Sequence, residues 1–279
     1  MIDCGRKGMA IPIDYSFWKQ NQKTTLEGLR GKRVFVLYSG GKDSSVCMHL
    51  LLKAGREFGF ILEAHAGAYP VHRYTEFEKE RLSAYWQDKG ATLFWHGVAL
   101  DDALLESEGN PCMSCQGIRR QKLNAVLRNT VKEWNDLVLV VSYTLWDLVS
   151  YASEYLLSGV FTKAKGGSSR ELQKRFVEIG QRFYPFLEMK EGYSVFRPLL
   201  PYNGCDVLKT VEEEGIPILG APCAYRDFRP KRILERYYEK MGLRFDYEEV
   251  FNFARKTMGL GDPSTYMGMD KEQYLTKVF

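Results

Sequence analysis

The chain has 279 residues, 39 Lys and Arg against 35 Asp and Glu, a net charge of +4, and 45% hydrophobic and 27% charged residues. That balance excludes a disordered chain, and the longest apolar run, Leu137 to Val141, falls far short of the ~20 residues of a membrane span. The modest positive charge permits an RNA partner without marking a strongly basic nucleic-acid domain.

Met1 to Lys7 begins no apolar export core, so a cytoplasmic protein is expected. Without an export signal, the six cysteines are better read as reduced thiols or metal ligands than as a disulfide framework. In chain order, Arg33 to Tyr38 reads as a strand and Ser44 to Lys53 as a helix. Phe60 to Ala66 is a second strand, Thr75 to Lys89 a helix and Thr92 to Trp95 a third strand. Gly117 to Trp134 reads as a helix, Leu137 to Ser142 as a buried strand and Trp146 to Leu157 as a helix. Ile216 to Leu219 is strand-like, and Gly166-Gly167-Ser168-Ser169 between basic residues reads as a mobile loop. Alternating strands and helices predict an α/β fold, a doubly wound parallel sheet covered on both faces. Residues 1–30 would precede a main domain over 31–241, and 242–279 would form a helical C-terminal extension. Ligands of such sheets bind beyond the carboxyl ends of the strands, here after Tyr38, Ala66 and Ser142.

The first of those loops is Ser39-Gly40-Gly41-Lys42-Asp43-Ser44-Ser45. It follows a strand and opens a helix, so backbone amides and the helix dipole can face an anion. A Walker A loop would need Gly at Val36 and Ser or Thr at Asp43, and a dinucleotide fingerprint would need Gly at Ser44. The bland alternative is a glycine turn capped by Asp or Ser. Ser-Gly-Gly-Lys-Asp-Ser after a first strand resembles the PP-loop of the ATP pyrophosphatase superfamily, whose fold is adenine nucleotide alpha hydrolase-like. The resemblance implies that ATP is bound by Ser39, Gly40, Gly41, Ser44 and Ser45, that Lys42 neutralises phosphate charge, and that Asp43 holds Mg2+ or orients the nucleotide.

Asn110-Pro111-Cys112-Met113-Ser114-Cys115 places a Cys-x-x-Cys at a helix start, followed by Arg119-Arg120; dipole and arginines there favour thiolates. Taken alone, the pair fits a redox couple or two zinc ligands as well as other metals. Together with Cys223 after Pro222, and with Val195 to Leu200 between, it resembles the tRNA 2-thiocytidine synthetase group. That resemblance spans about Arg33 to Met241. It implies a [4Fe-4S] cluster on Cys112, Cys115 and Cys223, with one iron free of protein ligands and able to carry sulfide. It further implies tRNA as substrate, sulfide or a cysteine desulfurase as sulfur donor, and a homodimer. Cys47 reads as core; Cys205 reads as an exposed loop thiol, an outside candidate for a persulfide carrier.

The chain departs from that group at Ser142-Tyr143-Thr144-Leu145-Trp146-Asp147, where a Gly-His and paired aspartates are usual and only Asp147 matches. Asp147 fits Mg2+ and ATP binding and an N-terminal helix carboxylate equally. Tyr143 and Trp146 fit base stacking or, more simply, core packing. His65, His72 and His96 are scattered and are assigned no catalytic part. The expected reaction is ATP-dependent, releasing AMP and pyrophosphate while sulfur replaces a base oxygen. The alternatives are a PP-loop sulfurtransferase or ligase acting on a small molecule, and a non-catalytic nucleotide or metal-binding regulator.

Overall fold

The structure is a computed structural model and describes residues 10–68, 74–98, 102–107, 109–164, 169–220 and 223–275. Cys4, His72 and residues 166–168 of the basic loop lie outside them. The strands are β1 (Arg33–Tyr38), β2 (Ile61–Ala68), β3 (Leu93–Gly97), β4 (Leu137–Val140), β5 (Phe186–Glu188) and β6 (Ser194–Phe196). They form one sheet in the order β3-β2-β1-β4-β6-β5. All pairs are parallel except β5 with β6. The doubly wound sheet expected from the sequence is therefore present, with a short antiparallel edge that the sequence did not announce.

Apart from Arg33, the central strands β1 and β4 are apolar because both of their faces are covered. Val34, Val36, Val138 and Val140 enter one core with Val46, Leu50 and Leu51 of α3 (Lys42–Phe58). Their neighbours Phe35, Leu137, Leu139 and Val195 enter a second core with Val126 and Leu127 of α6 (Pro111–Thr130). Alternate residues of a strand face opposite sides, so these few positions define both layers. The remaining helices that matter here are α1 (Tyr15–Asn21), α2 (Lys23–Glu27), α4 (Glu76–Asp88), α5 (Asp102–Glu106), α7 (Leu145–Ala164), α8 (Ser169–Gly180), α9 (Gly204–Glu213), α10 (Pro230–Met241), α11 (Tyr247–Met258), α12 (Ser264–Met267) and α13 (Lys271–Gln273). Among the described residues no helix is long and apolar enough to cross a membrane.

Both terminal segments are tied into the cores. Trp18 of α1 is fully buried and its indole N–H donates to the Pro198 carbonyl at 3.0 Å. Tyr266 and Tyr274 are also fully buried, and Tyr274 donates to Gln181 Oε1 at 2.9 Å and accepts from buried Arg197 at 3.2 Å. One expectation is corrected: Ile216 to Leu219 is not a strand. Pro217 has no N–H to give a ladder, and the segment instead runs to the glycine turn, where Leu219 N–H donates to Gly40 O at 2.7 Å.

Candidate active site

The direction of the chain across the sheet reverses between β1 and β4, since β2 and β3 lie on one side of β1 and β4 and β6 on the other. That switch point leaves a crevice at the carboxyl ends. A cavity of about 910 Å³ occupies it, lined by Ser39 after β1, by His65 and Gly67 of β2, by His96 of β3 and by Ser142 and Tyr143 after β4. The three loops singled out in the sequence thus converge on one site.

The glycine turn is held by its own side chains. Gly40 has φ +70°, and a Cβ there would lie 3.3 Å from both Leu219 Cβ and the Tyr74 hydroxyl. Ser39 N–H donates to Ser44 Oγ at 3.1 Å, the Ser39 and Ser44 hydroxyls are 3.0 Å apart, and Ser44 Oγ donates to Gly41 O at 3.1 Å. Tyr74 OH donates to the Ser39 carbonyl. Gly41 caps α3 without a side chain, so the first-turn amides, which have no acceptor within the helix, are left facing a ligand. Lys42 Nζ and Asp43 Oδ1 are paired at 2.5 Å. Ser39 and Asp43 line the cavity. Ser45 faces the other way: it is fully buried and donates to the Tyr38 hydroxyl at 3.2 Å.

The cysteines stand at another part of the same wall. α6 starts with Pro111 at its first position, and the Asn110 side chain accepts from Met113 N–H at 3.3 Å, which places Cys112 and Cys115 in the first turns. The Cys112 thiol donates to the Tyr225 carbonyl at 3.3 Å, tying α6 to the segment that begins at Cys223. Cys112 and Cys223 line the cavity with Arg119, Arg120 and Lys122. Cys115 packs with Leu105, Ile118 and Tyr225. Burial pushes its thiol above the usual range; Arg119 and Arg229 act the other way, while Cys223 and Cys112 reinforce the rise. Burial thus outweighs the arginines expected to favour a thiolate there. Among the described residues no three His, Cys, Asp or Glu already stand as a group able to hold a metal ion. The donor set itself is three unpaired cysteines, the chemistry that iron–sulfur clusters take, and ligation would draw Cys112 off the Tyr225 carbonyl.

Asp147 is fully buried in the first turn of α7. Its Oδ2 accepts from Thr144 N–H at 2.7 Å and from the Thr144 hydroxyl at 2.9 Å, so it caps the helix. Its Oδ1 forms an ion pair with Lys231 of α10 and accepts no hydrogen bond of ordinary geometry. Lys231 lines the cavity. Trp146 is core, packed edge-on against Tyr238 at 5.8 Å. Tyr143 lines the cavity, its hydroxyl drawn below the usual range by Arg182, Arg197 and Lys231 against the opposing effect of burial. Cys47 is core, as expected, and burial raises its thiol. Cys205 is not a loop thiol: it lies half-buried in the first turn of α9, 3.5 Å from Arg244 Nη1, away from the cavity lining.

The residues missed by the sequence reading are histidines. His65 and His96 hydrogen-bond at 3.0 Å and both line the cavity. The signal was present as strand alternation, Glu63 and His65 on one face of β2, but pairing with His96 needs the β2–β3 register, in which His65 stands beside Phe94 and Gly67 beside His96.

A glycine turn between the first strand and helix, at the switch point of a mostly parallel sheet, places this chain among the doubly wound α/β folds. The fold is adenine nucleotide alpha hydrolase-like, as the sequence led us to expect. The U34-tRNA thiolase NcsA from Methanococcus maripaludis, solved with its [4Fe-4S] cluster, superposes with a TM-score of 0.59 over 92% of this chain and 90% of its own, at 16% sequence identity. In sequence, the chain is similar to the tRNA(Ile)-lysidine synthase of Neisseria meningitidis serogroup B, 26% identical over 191 residues, 68% of this chain and 38% of that protein. The same enzyme of Neisseria gonorrhoeae is 25% identical over 196 residues, 68% of this chain and 37% of that protein. The matched region is thus well under half the length of these curated relatives. No protein-family model matches the chain.

Proposed function

We propose that this protein is an ATP-consuming enzyme that adenylates a carbonyl of a nucleotide base in tRNA and exchanges its oxygen for sulfur. The observation that carries the proposal is the single cavity joining the glycine turn, through Ser39 and Asp43, to Cys112 and Cys223 and to the basic wall of Arg119, Arg120 and Lys122. In this reading the first-turn amides of α3 and the Ser39 and Ser44 hydroxyls receive the phosphates, and Lys42 exchanges Asp43 for phosphate oxygens while Asp43 takes Mg2+. The base oxygen attacks the α-phosphorus, pyrophosphate leaves, and the oxygen departs with AMP when sulfur adds to the activated carbon. Asp147 contributes indirectly, by holding Lys231 at the wall. Arg119, Arg120 and Lys122 suit RNA phosphates.

Cys112, Cys115 and Cys223 are the residues that would hold a [4Fe-4S] cluster, which when bound supplies the sulfide nucleophile. The thiolase that shares the fold supports this reading by analogy. The similarity to lysidine synthases supports a second one, in which an amine of a small molecule replaces sulfide as the nucleophile and the enzyme is a ligase.

The test is anaerobic purification with iron and acid-labile sulfide measured, followed by pyrophosphate release and 35S incorporation with bulk tRNA. About four irons per chain, lost together with 35S incorporation but not ATP binding in Cys112→Ala and Cys223→Ala, are expected. A metal-free protein that releases pyrophosphate with tRNA and incorporates labelled lysine instead would overturn sulfur transfer in favour of the ligase.

A further inference from the structure

A polar chain crosses the sheet beside the cavity. Arg33 grips Glu63 with two donors, Nε to Oε1 at 3.0 Å and Nη2 to Oε2 at 2.8 Å. Glu63 Oε2 stands 3.4 Å from His65 Nε2, and His65 Nδ1 stands 3.0 Å from His96 Nε2. The His65 ring is stacked on Phe35 at 3.8 Å and on Phe94 at 4.9 Å, contacts that hold the plane of the ring.

The direction of every hydrogen bond follows from the first pair. A carboxylate in a two-point arginine fork is ionised and only accepts. His65 must then carry its proton on Nε2, leaving the lone pair on Nδ1. His96 Nε2 must donate to that lone pair, which leaves His96 with its own lone pair on Nδ1. Burial lowers both imidazoles from their usual range, His65 to about 4, which keeps them neutral near pH 7. His96 Nδ1 has no hydrogen-bond partner among the described residues. The carboxylates of the same wall are engaged elsewhere: Asp43 with Lys42, and Glu154 and Glu178 with Arg175.

We propose that His96 is a specificity residue whose Nδ1 accepts a hydrogen bond from a ring N–H of the base being modified, with Arg33, Glu63 and His65 as positioning residues that set its tautomer. The substrate class is a base with a ring N–H beside the carbonyl, as in uracil, rather than one with a bare ring nitrogen there, as in cytosine. This rests on the base-modifying reading above; the tautomer does not. A desolvated acceptor opposed to a second lone pair loses its hydrogen bond and meets repulsion, so discrimination of about ten- to a hundredfold is expected.

The test is long-range 1H–15N correlation on full-length protein labelled with 15N-histidine at pH 7, with resonances assigned from His65→Gln and His96→Gln. Both histidines are expected as Nε2–H tautomers, and Glu63→Gln should mix the tautomers of His96, which Glu63 does not touch. Millimolar uridine 5′-monophosphate should then shift the His96 Nδ1 resonance upfield, while the 3-methyl derivative and cytidine 5′-monophosphate leave it in place. A His96 proton on Nδ1, a cationic ring at pH 7, equal shifts with all three nucleotides, or no shift with any would each overturn the proposal. A protein that shows the uridine-selective shift yet transfers no sulfur would overturn the thiolation reading alone.

Discussion

The two ends of the cavity are built in opposite ways. At the glycine end, Ser39, Gly41 and Ser44 are knit by four hydrogen bonds among themselves, so the turn is shaped by its own neighbours in sequence. At the cysteine end, Cys112 and Cys115 meet Cys223 across more than a hundred residues. A thiol–carbonyl bond of 3.3 Å and a small apolar cluster around Leu105 join the segments. The first end is organised before any ligand arrives. The second depends on packing between α6, the Cys223 segment and α10, and among the described residues its thiols do not stand as a group able to hold a metal ion. Preorganisation suits an anion that must bind in one pose, whereas a cluster brings bond energy of its own and can complete its site on binding.

The sharpest way to break this contrast is through Asp147, because its pair with Lys231 anchors the start of α10, and with it the Cys223 segment, to α7. Asp147→Ala leaves Lys231 with Glu235 at 3.5 Å as its remaining partner and uncaps α7, and should cost about 3 kcal/mol. The urea midpoint should fall accordingly. In the variant, Cys223 should react faster with a thiol reagent while nucleotide affinity changes little. Equal damage to nucleotide binding would show that the two ends are one mechanical unit.

The same contrast decides what the sequence could show. Strand β1, the glycine turn and α3 form one uninterrupted local pattern, and the turn was legible from it. The parallel sheet followed from alternation of strands and helices, but its strand order and its antiparallel edge did not. The cysteine set was reached only through resemblance, because spacing cannot say that residue 223 returns to α6. Ser45 was read as a phosphate ligand together with its neighbours, yet helical geometry turns it into the core beside Tyr38. The histidine chain was missed for the converse reason: Glu63, His65 and His96 look scattered until strand register stacks them. The tail from 245 was legible as helical, but not as the source of Tyr266 and Tyr274, whose burial depends on Arg197 and on tertiary packing.

The wall between the ends should report itself through pH. Folded His65 rejects a proton until about pH 4, chiefly because it is buried, whereas the unfolded imidazole binds one near 6.5. Between those values the unfolded state holds more protons, so stability rises with pH and is lost as pH falls from 6.5 towards 4. The loss should be about 3 kcal/mol in all, and His65→Gln should flatten that part of the slope in urea titrations at pH 5 and pH 7. His49, lowered to about 4 chiefly by burial, supplies a slope that survives in the variant. An unchanged slope in His65→Gln would mean that the histidine chain is open to water.

At the glycine end, Gly40→Ala forces a side chain into a positive-φ backbone and towards Leu219 and Tyr74. The cost should be about 1–2 kcal/mol, and nucleotide affinity should fall by more than stability alone predicts, because the amides of the turn are displaced. Isothermal titration with ATP alongside urea unfolding separates the two effects.

The smallest effects give the cleanest comparison, since they remove one heteroatom at each end in the metal-free protein. Ser44 is 1% exposed, and its hydroxyl both accepts from Ser39 and donates to Gly41. Ser44→Ala leaves a backbone N–H without its acceptor and should cost about 1 kcal/mol. Cys223 is only half-buried, so Cys223→Ala should cost about 0.5 kcal/mol or less. If the two costs are reversed, the cysteine end is the structurally committed one, and its thiols serve packing before chemistry. If they stand as expected, the protein spends its stability on shaping the glycine turn and keeps the thiols free to bind, which is what a site assembled around an incoming cluster requires.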